Sequence, residues 1–334
     1  MATTQRKTGR TTSSSGRSRS RAGMAAAATL VPLALGLAGN VSTPTASQPH
    51  PSPHPLNEPI AISCTLPFAA IQRHHAIDDS CPAPGNADPS SSTDRVKREV
   101  AQNLAKNNFC ASNAPVNIDF DVLHQLQQEA ASVTTFGSDM SLPKDRSVLR
   151  QLDTKVGKIG EGMLVRIAAF VIHAKPANVG QGESVNCKMK PAEDNDIHIA
   201  LGQNSNQDEE CSSVTAEMSP HFRPDSWTSD NITQNNARLF RITGQLFFDA
   251  NHKPCKGTTG QNPKRSSLWE IHPVYGIEIC GDSRNSCKVD SDENWIALSD
   301  FVGPGLQEED ASGDESRAGT PRTFHSSDLL ADPL

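Results

Sequence analysis

Four short segments of the chain each set a carboxylate near an imidazole. Asp196 and His198 stand in DNDIHIAL, Glu217 and His221 in VTAEMSPH, Asp249 and His252 in FFDANH, and Glu270 and His272 in LWEIHP. Imidazole nitrogen and carboxylate oxygen together suit a divalent ion, with Zn²⁺, Mn²⁺ and Ca²⁺ preferring different proportions of the two. A carboxylate bonded to a histidine also raises the imidazole pKa and equips it for acid–base work. The plain use of such a pair is as polar neighbours on a solvated sheet face, worth a few tenths to about 1 kcal/mol. Any one pair reads that way by itself; four of them between residues 196 and 272 raise the expectation of a shared site. The chain has no GxSxG, no HExxH and no phosphate-cradling glycine loop.

These residues need strands to aim them. Side chains alternate across a sheet, so Ile197, Ile199 and Leu201 point one way and Asp196 and His198 the other. Likewise Val214, Ala216 and Met218 oppose Glu217, and Trp269, Ile271, Tyr275, Ile277 and Ile279 oppose Glu270 and His272. Apolar β-rich character begins at Met163–His173 and recurs in Ser184–Lys188, Asp196–Leu201, Ser212–Met218, Leu239–Asp249 and Leu268–Cys280. Gly244 in mid-strand predicts a bulge or a close backbone approach. The expected fold is mainly β: a five-stranded OB-type Greek-key barrel with a bent first strand, in which Pro224–Asn236 replaces the usual helix between the third and fourth strands. A β-sandwich would need about seven strands at regular spacing.

Upstream, Val96, Val100 and Leu104 recur every fourth residue after a cap at Thr93 or Asp94, and Phe120, Leu123, Leu126 and Ala130 share a second helical face. The expected layout is a signal peptide over 1–38, a Pro- and Ser-rich linker over 39–60, a helical lead-in over 61–155, the barrel over 156–306 and a disordered acidic tail over 307–334. The first of these rests on Arg6, Lys7, Arg10, Arg17, Arg19 and Arg21 ahead of the apolar run Met24–Leu37, with small residues at Gly36 and Ala38. That run is too short to span a bilayer, which takes about 20 apolar residues, so the mature chain is expected to carry no transmembrane anchor.

The net charge is −7 and becomes more acidic if the basic leader is removed, which disfavours broad nucleic-acid binding. Eight cysteines, none in a CxxC, read as disulfides in an exported chain, secreted or periplasmic. The pairs Cys81–Cys110 and Cys187–Cys211 are expected because each closes a short loop.

The segments KNNFCA, GESVNC, NDIHIAL, SSVTAEMSPHFRP, ITGQLFFDANH and SLWEIHPVYGIEIC resemble a family of exported bacterial proteins of unassigned function, over roughly residues 78–282. The resemblance implies export and one shared architecture and supplies no catalytic residue. Far more weakly, the chain is similar to staphylococcal-type thermonucleases, which also use an OB barrel. That similarity would place Asp194, Asp196 and Glu217 at the family's calcium-holding acids and His221 at its glutamate, and it finds no match for the family's phosphate-binding basic residues.

The leading expectation is an exported binding module. Asp196, His198, Glu217, His221, Arg223, Glu270 and His272 would hold a small polar ligand, a sugar or a protein partner. The alternative is a metal-dependent hydrolase of phosphodiesters. In it Asp196, His198, Glu217 and His221 supply ligands to Ca²⁺, Mn²⁺ or Zn²⁺, Glu270 or His272 activates water, and Arg223 or Arg241 steadies the phosphate. A third expectation is a structural envelope protein.

Overall fold

A computed structural model describes Ile77, Ser80–Cys110 and residues 114–221, 223–260 and 262–301. The expected leader, linker and acidic tail lie outside the described residues.

Five strands close a barrel. β4 (Leu164–Pro176), β5 (Ile197–Gly202), β6 (Val214–Met218), β8 (Trp269–Cys280) and β7 (Phe240–Phe248) are bonded in that order, and β7 returns to β4. Every barrel contact is antiparallel except β6–β8, which is parallel. This is the OB order, with the third strand beside the fifth. Closure depends on the bend in β4. Its first half, Leu164–Ala169, pairs with β7; its second half, Phe170–Pro176, pairs with β5, with a bulge between Val171 and His173. A five-residue helix, α3 (Ser229–Thr233), stands in the connection between β6 and β7.

The barrel is filled as the alternation predicts, by Ile199, Leu201, Val214, Ala216, Met218 and their neighbours. β8 departs from it. Trp269, Ile271, Ile277 and Ile279 join the core as expected, but Val274 takes the place of Tyr275, whose hydroxyl donates to Gln245 Oε1, so the strand slips phase locally around Pro273–Gly276. Register shifts on both sides of Gly244 absorb the change, and a Cβ at Gly244 would sit 2.5 Å from Ile271 Cγ2 and 2.6 Å from the Pro273 carbonyl oxygen.

The lead-in is joined to the barrel. β1 (Val116–Ile118) adds a parallel strand to β4, β2 (Leu152–Thr154) and β3 (Gly157–Ile159) form a hairpin, and β9 (Trp295–Ala297) pairs with β8. Helix α2 (Phe120–Val133) is capped by Asp119, whose side chain accepts from Val122 N, and buries Phe120, Leu123, Leu126 and Ala130 in the barrel's own core. Helix α1 (Asp94–Lys106) reverses expectation. Its apolar stripe is not what docks: Val96 and Val100 are half-buried, Leu104 is 46% exposed, and the buried residues are Gln102 and Asn103.

Two further expectations are corrected. Ser184–Lys188 is a turn, with Cys187 and Lys188 at φ of 54° and 59°, which no strand accommodates. Three disulfides join described residues, Cys81–Cys187, Cys211–Cys255 and Cys280–Cys287, and no described cysteine is free. Proximity in sequence misled because the turn at 184–188 folds back on the lead-in. There Asn103 Nδ2 donates to Pro84 O and Ser184 Oγ, both at 2.9 Å, and brings Cys187 to Cys81.

Gly244→Ala is expected to destabilise the protein by about 1–3 kcal/mol through overpacking. Gly276→Ala, whose Cβ would meet Thr243 Cβ at 3.6 Å, should be close to neutral. Urea denaturation of both variants checks the pair.

Candidate functional site

The outer face of β4, β5, β6 and β8 carries a row of polar side chains set by strand register. Lys175 pairs with His198, and His198 pairs with Glu217. In the parallel contact Ala216 pairs with Ile271, so Glu217 and His272 stand one residue further along adjacent strands. Asp196, just before β5, joins them. Asp196 and His198, Glu217 of β6 and His272 of β8 therefore do converge, without His221, and on a covered face and not a solvated one: Asp196, Glu217, Glu270 and His272 are each 1% exposed.

The cover is α1, and the residue that makes it possible is Lys106. Its Nζ lies 2.7 Å from Glu217 Oε2, 3.0 Å from Asp196 Oδ2 and 3.8 Å from Glu183 Oε1. Burial opposes the ammonium charge, but Glu183, Glu217, Asp196 and Glu270 outweigh it and hold Lys106 protonated well above the ordinary lysine range. Burial likewise opposes ionisation of Asp196 and Glu217, yet the surrounding cations lower both carboxyls, with Lys106 leading for Asp196 and His198 for Glu217. His198 Nε2 sits 2.8 Å from Glu217 Oε1 and 3.6 Å from Glu183 Oε1; despite burial, Glu217 and Glu183 raise its pKa well above the usual histidine value.

A second ion network adjoins the first. Arg265, fully buried, donates to Glu270 Oε1 and to Asp249 Oδ2. Asp249 also meets His252 Nδ1 and accepts from Gln102 Nε2 at 2.9 Å; Gln102 in turn accepts from Arg146 Nη1 at 2.6 Å, and Arg146 pairs with Glu161. Burial raises Asp249, but His252 and Arg265 overcome it and leave the carboxyl well below its usual value. Glu270 goes the other way. Burial and the neighbouring Glu217 charge push it up to about 8 against the pull of Arg265.

The network opens into a cleft of about 380 Å³. Its walls are α1, the β4–β5 loop and the β7–β8 loop, and its floor includes His198 and Glu217. Lys106, Lys175, Lys188, Asp249 and His252 also line it. Of the seven expected ligand-binding residues, only His198 and Glu217 reach this cleft; Asp196, Glu270 and His272 lie beneath it. His221 is fully buried, its ring 5.8 Å from that of Phe109. Arg223 is structural: it donates to the carbonyls of Asn195, Met218 and Glu193, fastening the entry to β5 onto the end of β6. Arg241 pairs with Glu278 and Asp292, away from the cleft.

No known family, curated protein or solved structure matches the chain. The resemblance to exported bacterial proteins therefore gains no support from relatives, and any reading of the site rests on its geometry.

Among the groups of the site, Lys106, Gln102 and Glu183 were not legible in sequence, and Arg265 read only as one of four scattered arginines, two of which could clamp an anionic group. The signal for Asp249 and His252 was their adjacency, which the structure realises as a direct contact. Two of the four expected metal ligands, Asp196 and Glu217, approach a common point; the histidine that joins them is His272, in place of His198 or His221.

Asp249→Asn removes the ionised carboxylate that Arg265 and His252 share and is expected to cost about 3–5 kcal/mol at pH 7, as for a broken buried pair. Because the folded pKa of Asp249 is lowered, its contribution is complete above the unfolded value near 4 and disappears as pH falls through the folded value. Urea midpoints of the native protein and the variant should differ widely at pH 7, and the gap should begin to close only below about pH 4.

Proposed function

We propose that the chain is a binding module whose cleft takes a small, hydroxyl-rich polar ligand, a sugar being the simplest class. The observation that carries this reading is the position and lining of the cleft. It lies over β5 and β6 between the β4–β5 and β7–β8 loops, the region OB barrels use for oligosaccharides and oligonucleotides. Sharing that region does not transfer a ligand; the lining does the discriminating. Asn103, Asn178, Gln181, Asn251 and Asn262 offer amides that both donate and accept, which suits hydroxyls. No Phe, Tyr or Trp is among the described residues lining the cleft, so a stacking platform for nucleic-acid bases is missing there.

Export is part of the proposal. Disulfides at the described cysteines suit an oxidising compartment, and no helix among the described residues is long and apolar enough to cross a membrane. The hydrolytic alternative requires a cation beneath the cleft. A protein partner, in place of a small ligand, is an outcome of the same test.

The test is thermal unfolding against a panel of neutral sugars, sugar acids and amino acids. A ligand at about 100 times its Kd should stabilise the fold by roughly 2.7 kcal/mol. Lys175→Ala and Asn251→Ala, on the exposed rim, should leave the unliganded midpoint unchanged and shrink the ligand-induced shift; Arg284→Ala, remote and exposed, should keep it whole. A panel that produces no shift, or a shift the two rim variants leave intact, contradicts the reading.

A further inference from the structure

Beneath the cleft, three adjacent strands bring one ligand atom each from Asp196, Glu217 and His272 to within 4.8 Å of one another. Acidic residues gather in many proteins with no ion, so the clustering alone decides little. The state of His272 adds an independent observation. The ring is 1% exposed, yet neither nitrogen has a hydrogen-bond partner, and Nε2 stands 3.4 Å from Asp196 Oδ2 without the alignment of a hydrogen bond. Buried polar atoms are nearly always satisfied, and an imidazole left so has the form of a ligand without its ion.

Two of the three ligands already hold an ammonium. Lys106 Nζ touches the same two carboxylates at 2.7 and 3.0 Å. Atoms bound to one ion at about 2.0–2.2 Å are at most roughly 4.4 Å apart. A trio spread over 4.8 Å is therefore a few tenths of an ångström wider than a bound ion needs and would draw in slightly on binding one. Lys106 has a second carboxylate within reach: it is the last residue of α1, its side chain is 12% exposed and lines the cleft, and Glu183 Oε1 stands 3.8 Å away.

We propose that Asp196, Glu217 and His272 form a divalent-cation site for which Lys106 is a tethered competitor, so that binding of the ion drives the ammonium into the cleft. One imidazole nitrogen with two carboxylate oxygens favours Mn²⁺ or Zn²⁺ over Ca²⁺ and Mg²⁺, which take oxygen ligands. The exchange substitutes two positive charges for one among Asp196, Glu217, Glu183 and Glu270, and it places Lys106 where a ligand in the cleft would meet it. The proposal does not depend on the sugar-binding reading. With an ion in place the hydrolytic alternative would gain a means of activating water.

The experiment is a titration of the full chain with Mn²⁺, following free ion by electron paramagnetic resonance and nitrogen coupling to the bound ion by pulsed methods. The expected result is saturable uptake of one ion per chain, with a directly bonded nitrogen. Uptake should be lost in His272→Asn and tightened about tenfold or more in Lys106→Gln, which removes the competitor. If Lys106→Gln fails to fold, the native titration and its nitrogen signal still decide. No saturable uptake by the native chain at millimolar ion, uptake without a bonded nitrogen, or uptake undiminished in His272→Asn each overturns the proposal.

Discussion

The structure around the cleft depends on one contact: the Lys106 ammonium held between Glu217 and Asp196 on the outside of the barrel. An OB barrel normally leaves part of this face to solvent or ligand. Here register places carboxylates on neighbouring strands, and a helix is laid across them. Buried acids at this density are costly unless cations reach them. Lys106 answers Asp196 and Glu217, Arg265 answers Asp249 and Glu270, and His198 shares Glu217. Gln102 to Asp249, Asn103 to Pro84 and Ser184, and Glu99 to Ser184 add to the docking of α1, but on this helix only Lys106 neutralises the carboxylates beneath it.

That arrangement explains why the cleft is polar. Its three walls are held by polar bonds: Asn103 to Pro84 and Ser184, Gln102 to Asp249, and Arg146 to Gln102. The network thus fixes the β4–β5 and β7–β8 loops relative to α1 and sets the cleft's width. It also leaves Glu270 near 8 and His272 unpartnered, groups poised to respond to a proton or an ion. Buried charges of this kind are weak evidence of stability for its own sake; their concentration under one cleft fits a site better than a scaffold.

Much of the barrel was legible in the chain. Alternation over Ile197–Leu201 and Val214–Met218 assigned the inner and outer faces correctly, and Gly244 marked the close approach to Ile271 and Pro273. The same alternation put Asp196, His198, Glu217, Glu270 and His272 on one outer face. What it could not carry was the cover. The Val96–Val100–Leu104 stripe argued for the wrong face of α1, because the usual rule assumes an apolar docking surface. A lone lysine ending a helix reads as a solvated charge near the dipole's negative end, so Lys106 gave no signal. In β8 the phase change that brings Val274 inward depends on irregular pairing with β7, which no local pattern encodes. The cysteines were paired by nearness along the chain, whereas Cys81 and Cys187 lie 106 residues apart.

A thermodynamic cycle between Lys106 and Glu217 tests the account most directly. Lys106→Met, Glu217→Gln and the double variant would be compared by urea denaturation at pH 7. If the ammonium compensates the buried carboxylate, Lys106→Met alone should cost about 3–5 kcal/mol, and much of that loss should return when Glu217 is also neutralised. A Lys106→Met variant as stable as the native protein, or losses that simply add in the double variant, would contradict it.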